Sequence, residues 1–216
     1  MSDDPATEPV PQRRAAALRR RRMIRAGHAG EVARARLGLD DPEPGVQAAA
    51  LGALARCGVL TVPDIGQALE AGRPAPLRRR AVEAALSVRG PGSRSVLFAV
   101  LVAALDDPDP LVAVGAAWFL GERRVGPAVA ALGRVAGDHP DVRCREAAVA
   151  ALGAIGDPAG LPAVLAALDD KPTVRRRATV ALAGFDDPGV EPALRRAAED
   201  RDWQVRQAAE ELIRPP

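Results

Sequence analysis

Apolar positions recur along the chain in a ten-place arrangement, V-R-x-x-A-A-x-A-L-G. It can be laid from Val46 ("VQAAALGALA"), Leu77 ("LRRRAVEAAL"), Val112 ("VAVGAAWFLG"), Cys144 ("CREAAVAALG"), Val174 ("VRRRATVALA") and Val205 ("VRQAAEELIR"). The intervals between these starts are 31, 35, 32, 30 and 31 residues. Within each copy the first, fifth, eighth and ninth places fall on one stripe at 3.6-residue spacing, so each predicts an amphipathic helix. Between the copies lies a second, shorter helical pattern, seen in "VLFAVLVAALDD", "GPAVAALGRVAGD" and "LPAVLAALDD", ended by Asp-Pro or Gly. A two-helix unit of this length cannot bury its apolar face alone. Six in register predict an all-α stack of about six helical hairpins, beginning near residue 28 and running to 216.

Composition agrees with the pattern. Hydrophobic residues make up 48% of the 216 and are mostly Ala, Leu and Val, while aromatics are 2% and Tyr is absent. Such side chains suit close helix packing and suit a strand-built core poorly. No stretch approaches the roughly 18 uninterrupted apolar residues of a membrane span, and residues 1–30 lack the apolar core of a signal peptide, so the expectation is a soluble cytoplasmic protein with no membrane role. The arginine and alanine bias points to a high-GC bacterial source. Two cysteines, Cys57 and Cys144, three repeats apart, form neither a disulfide framework nor a metal-binding spacing, and both are expected to be reduced.

The alternation of P-x-L-x-x-A-L-x-D with V-R-x-x-A-A-x-A-L-G resembles HEAT repeats, in particular the short bacterial HEAT-like repeats first associated with phycobilisome lyases. The likeness covers residues 28–216 and implies a right-handed α-solenoid. It says little about function, because that architecture carries many unrelated tasks. It also implies a role for two recurring polar residues. An Asp stands five positions before the pattern in four copies (Asp41, Asp107, Asp169, Asp200), and the second place is basic in Arg78, Arg145, Arg175 and Arg206. In HEAT-like arrays such residues form an Asp–Arg ladder along the turns, and here the structural reading takes precedence over a catalytic one. Gln47 and Ala113 interrupt it. An Asp before a helix also serves as an N-cap.

The N-terminus differs in kind. Residues 1–12 are polar, acidic and Pro-containing, which predicts a disordered tail. Residues 13–27 then predict a basic helix that includes Arg19, Arg20, Arg21, Arg22 and Arg25. Residues 1–36 hold nine arginines against Asp3, Asp4, Glu8 and Glu31, a net of +5, so the other 180 residues carry −3. Such an arm can grip phosphates or an acidic partner; equally, it can be the solvated first helix that caps the array.

Reactive chemistry is sparse. The two histidines, His28 and His139, are not followed by Glu, so the paired His-Glu iron ligands of HEAT-type deoxyhypusine hydroxylases have no counterpart. Phosphate-binding Gly-rich loops and G-x-S-x-G elbows are missing, "GPG" and "GERRVG" read as loops, and Cys144 occupies the buried Val place of its repeat. No catalytic residue, cofactor or metal site is assigned.

What remains is the face that the third and seventh places turn away from the buried stripe. In the third repeat these are Val114 and Trp118, and at the place of Trp118 the other copies hold Gly, Ala, Val or Glu. If HEAT packing holds, this face is the concave side. Arg79, Arg80, Val114, Trp118, Glu146, Arg176 and Arg177 then form an apolar floor flanked by charge, or Trp118 fills local space. Three function classes follow. A non-catalytic adaptor would hold a protein or peptide partner, including an acidic one. An enzyme of lyase type, or one handling small anions, would use Glu83 and Glu146 as acid–base groups. Nucleic-acid binding through the arginines is weakened by the −3 body and the lack of interleaved aromatics.

Overall fold

A computed structural model describes residues 10–89 and 94–214. Among them are thirteen α-helices and no strand: α1 (Val10–Ala29), α2 (Val32–Leu37), α3 (Pro44–Arg56), α4 (Val62–Ala68), α5 (Ala75–Ala84), α6 (Arg94–Ala103), α7 (Pro110–Glu122), α8 (Val129–Asp138), α9 (Val142–Ile155), α10 (Leu161–Ala166), α11 (Pro172–Ala181), α12 (Val190–Ala197) and α13 (Trp203–Ile213). From α3 onward the odd-numbered helices carry the ten-place pattern and each is preceded by a short even-numbered helix. The result is six hairpins of an α-solenoid, with α1 additional to them. Residues 1–9 of the expected tail, the "GPG" loop and residues 215–216 lie outside the described residues.

The helices begin where the sequence supplies acceptors for free N–H groups. The side chains of Glu43, Asp109, Asp141 and Asp202 cap α3, α7, α9 and α13, and Thr61 with Asp64 closes a capping box on α4. Proline at the first turn of α3, α7 and α11 fits because its missing N–H would have been an orphan there. Several helices, among them α5, α6 and α10, run out into a short 3₁₀ turn, and α9 stops at Gly156, whose φ of 71° is a left-handed conformation.

The chain divides into two compact units, residues 1–97 and 98–216, with the division inside α6. In the first, α1 and α2 pack on α3, α3 on α5, and α4 on α5; Met23, Val46 and Ala50 form one buried cluster. In the second, α7, α9, α11 and α13 form a row in which each touches the next, and α8, α10 and α12 pack behind them. The fifth place of every pattern helix is a fully buried Ala (Ala50, Ala81, Ala116, Ala148, Ala178 and Ala209, all 0% exposed). Small residues there let neighbouring helices approach closely. The tenth place goes further. A Cβ on Gly121 would lie 2.8 Å from the Ala151 Cα, and one on Gly153 would lie 2.7 Å from the Ala181 Cα. These glycines belong to packing.

Candidate functional site

The Asp–Arg ladder is present, with one shift of register. In the second unit the Arg145 guanidinium donates to both Asp170 oxygens at 2.7 and 2.8 Å, and Arg175 donates to both Asp200 oxygens at 2.8 and 2.7 Å. Each arginine also donates to carbonyls of its own turn, Arg145 to His139 at 2.8 Å and Arg175 to Asp170 at 2.9 Å. The rung therefore uses Asp170 where Asp169 was expected. The fifth turn is one residue shorter than the others, and Asp169 is left exposed with only a 3.9 Å approach from Arg196. Capping is also displaced from the expected residues: Asp41, Asp107 and Asp200 accept from the N–H two residues on, and Glu43, Asp109 and Asp202 there are the caps. His139 Nδ1 takes the equivalent place, accepting from Asp141 N–H at 3.1 Å. Hydrogen bonds from Arg145 and Arg175 hold the Asp170 and Asp200 carboxyls below their ordinary value, and the Arg143 hydrogen bond brings half-buried Asp141 to about 2.

The basic helix is built into the same scheme. Arg19 donates to both Asp41 oxygens at 2.8 and 3.2 Å, as a ladder arginine does, and a Cβ on Gly27, eight residues later, would lie 2.8 Å from the Ala53 Cα. The Arg145-to-Gly153 spacing is identical. α1 thus carries the ladder arginine and the close-approach glycine of a pattern helix. It starts at Val10, so residues 10–12 of the expected tail are helical. Arg20, Arg21, Arg22 and Arg25 are exposed.

Among the residues expected on the partner face, Arg79 and Arg80 belong to the first unit, and Val114, Trp118, Glu146, Arg176 and Arg177 to the second. Arg79 is half-buried on α5. Arg80 packs its guanidinium into the space left by Gly52, where a Cβ would lie 2.5 Å from Nη2, and pairs with Glu83 at 2.9 Å. In the second unit Arg177 reaches across from α11 to Glu146 on α9 at 3.4 Å. Arg176 is exposed and has no partner among the described residues.

Trp118 is 51% exposed, so the reading in which it fills local space fails for half of its surface. It shares a stripe of α7 with Leu111, 43% exposed, and half-buried Val114, at spacings of three and four. Val180, at the seventh place of α11, is 45% exposed and Ala150, at that place of α9, is half-buried. Leu111 and Val180 were readable from helical spacing to Trp118 and from shared repeat place, but alone each reads as an ordinary surface aliphatic. Behind Trp118 the helix is firmly seated: Phe119 is 1% exposed, meets Phe98 edge-on at 6.3 Å between centroids, and lies under Arg123 at 5.8 Å. Trp203, 61% exposed, opens α13.

Cys144 is buried beneath this row, its thiol 3.5 Å from the Pro110 carbonyl and pushed up to about 11 by burial and by nearby Asp141. Both cysteines are free. Among the described residues no group of three His, Cys, Asp or Glu could hold a metal, and no helix is long and apolar enough to cross a membrane.

Comparison with known proteins places this architecture. No curated protein matches the sequence. Solved structures do: the complex of CpcE and CpcF of phycocyanin lyase from Nostoc is similar over 82% of this chain and 74% of that one, at 24% identity and a TM-score of 0.58. Human deoxyhypusine hydroxylase is similar over 78% and 79%, at 22% identity and a TM-score of 0.50. A designed armadillo-repeat protein in complex with a (KR)4 peptide is similar over 94% and 93%, at 18% identity and a TM-score of 0.50. Identities this low speak for the fold alone. The family model for HEAT repeats matches residues 98–183 and 161–212, more than half of the sequence, and with the ladder and stacked hairpins in place the chain belongs to the HEAT-repeat family.

Proposed function

We propose that the protein is a non-catalytic adaptor that holds a protein or peptide segment of a partner on the exposed face of α7, α9 and α11, with Trp118 as the anchor. The carrying observation is the stripe of Leu111, Val114 and Trp118, which leaves large apolar side chains in water on a helix otherwise seated by its neighbours. Exposed Trp beside aliphatics is the composition of an interface centre. Unpaired Arg176 on α11, one turn before exposed Val180, favours a segment that brings a carboxylate. The two carboxylates that acid–base chemistry would draw on are both ion-paired, Glu83 to Arg80 and Glu146 to Arg177. Among fold relatives, the lyase structure is a complex of two proteins and the armadillo design holds a peptide.

The reading is tested by selecting peptides from a displayed random library on the whole protein and measuring their affinity by fluorescence anisotropy. Trp118→Ala is expected to weaken the selected peptides by roughly 30-fold or more, the scale of an interface Trp anchor. Arg176→Glu is expected to slow association and alter its salt dependence. Selected peptides that bind Trp118→Ala as tightly as the parent would remove this face from the account.

A further inference from the structure

Charge is divided unevenly between the units. Residues 1–97 hold sixteen arginines against ten carboxylates, a net of +6, while residues 98–216 hold fourteen basic side chains against eighteen acidic ones, a net of −4. Much of the excess sits on α1. At 100° per residue, Ala16, Met23 and Ala26 share the side docked on α3 and are 7%, 8% and 0% exposed. The opposite side carries Arg14, Leu18, Arg21 and Arg25, spaced by four, three and four residues, all exposed and with Arg22 beside them. Arg19 is engaged by Asp41, whereas Arg14, Arg21, Arg22 and Arg25 have no partner among the described residues. The aligned guanidiniums span about 16 Å of one helix.

We propose that this face of α1 binds the phosphate backbone of double-stranded nucleic acid without regard to sequence, an activity separate from the partner face of the second unit. A duplex presents a charge about every 1.7 Å of its axis, so a row of this length meets several phosphates in any register. An acidic peptide would have to match the spacing. Docking on α3 holds the row in place before binding, which lowers the ordering cost. Residues 10–37 contain no Phe, Tyr or Trp, the side chains that make the main stacking platforms for unpaired bases, so the row favours the phosphate backbone of a duplex over single strands. Membrane insertion is disfavoured for a structural reason: Met23 is already packed against Val46 and Ala50 of α3, which leaves, among the described residues of α1, only Leu18 and Ile24 as exposed large aliphatics among the arginines, less than the apolar face a bilayer interface would need.

The experiment titrates the full chain with a short labelled DNA duplex of mixed sequence, from about 50 to about 200 mM salt. It compares the parent with an Arg14→Gln, Arg21→Gln, Arg25→Gln triple variant, which keeps good helix formers at exposed sites and leaves the Arg19–Asp41 rung intact. Circular dichroism and the urea midpoint confirm the fold. Expected are binding at low salt, a slope of log affinity against log salt that is shallower by about 2 to 3 in the triple variant, and at least tenfold weaker affinity at low salt. Trp118→Ala is expected to bind the duplex as the parent does, which keeps this test independent of the partner face. The proposal is overturned by an absence of duplex binding at the lowest salt, by unchanged affinity and slope in the triple variant, or by tighter binding to poly-glutamate or to phosphatidylglycerol vesicles at equal charge.

Discussion

The ladder rungs differ in burial, and their energetic weight should follow. Arg175 and Asp200 are 5% and 15% exposed, Arg145 and Asp170 are 14% and 19%, and Arg19 and Asp41 are 38% and 12%. Replacing Arg175 by Met removes two charged hydrogen bonds to Asp200 and one to the Asp170 carbonyl, and leaves the Asp200 carboxylate with only the Asp202 N–H. Breaking a buried pair costs about 3–5 kcal/mol, and the residual access of water at Asp200 sets the expectation near the lower end, about 3 kcal/mol. Arg145→Met is expected to cost about 2 kcal/mol, and Arg19→Met, at a rung screened by solvent, about 1 kcal/mol or less. The second variant in the test is the double Arg175→Met, Asp200→Asn. With no uncompensated charge left, it should recover about 2 kcal/mol of the single loss. Acid adds an independent check. The Asp170 and Asp200 carboxyls titrate below 3.8, their ordinary value, so the ladder's contribution is complete above the unfolded-state value and fades as pH falls through the lower folded values. Asp200→Asn should therefore flatten the stability profile in that acidic window and nowhere else. Urea midpoints by circular dichroism across pH measure all of this. Three single losses of equal size, or a double variant that costs the sum of its parts, would refute the reasoning.

At the partner face, Trp118→Ala should cost about 1–2 kcal/mol of stability, because only half of the ring is buried, against about 3–5 kcal/mol for Phe119→Ala one residue on; equal urea midpoints would mean that Trp118 is a packing residue. Gly153→Ala should cost about 1–3 kcal/mol, since its Cβ would meet Ala181 at 2.6 Å, while Gly133→Ala, whose nearest neighbour lies at 3.7 Å, should be neutral or stabilise by up to about 1 kcal/mol. Near neutral pH a thiol reagent should label half-exposed Cys57 in the native protein and reach Cys144 only on unfolding, which counting reacted thiols with and without denaturant will show.

Much of this architecture was legible because the repeat ties each place to one physical duty. Places one, five, eight and nine are buried wherever a hairpin lies on both sides, so their apolar identity recurs and exposes the period. α1 escaped that reading because it keeps only part of the pattern. It keeps Arg19, Met23, Ala26 and Gly27, and has arginine at the fifth and eighth places, Arg22 and Arg25, where the other pattern helices carry apolar residues. The retained signal was an Arg and a Gly eight residues apart, hidden in a run of like charge. The slip from Asp169 to Asp170 has a similar origin: two adjacent aspartates are equivalent in sequence, and only the length of the turn before Pro172 decides which one meets Arg145. Exposure of Trp118 was legible from the angle of the seventh place. Which arginines stay unpaired was not, since the pairing of Arg177 with Glu146 and the seating of Arg80 over Gly52 depend on how far one helix stands from the next.

The third repeat shows how packing and candidate function are connected. Its second place is Ala113, 1% exposed, and the turn that would supply the opposing carboxylate carries His139. Both halves of the rung are replaced together. Electrostatics explains the pairing of the two changes: a buried Arg facing no carboxylate, or a carboxylate facing no Arg, costs several kcal/mol more than an apolar contact in the same place. The turn survives because His139 Nδ1 accepts the Asp141 N–H in place of an Asp oxygen, a bond that requires that nitrogen to be unprotonated. Freed of its charged rung, α7 carries no ionisable side chain from Leu111 to Gly121, and its seating rests on contacts such as those of Val112, Ala116, Phe119 and Leu120. A helix apolar on nearly every side is normally covered on every side. Here the stripe of Leu111, Val114 and Trp118 is the side that is not, which is why the repeat that departs from the ladder is also the one that offers a partner an apolar surface.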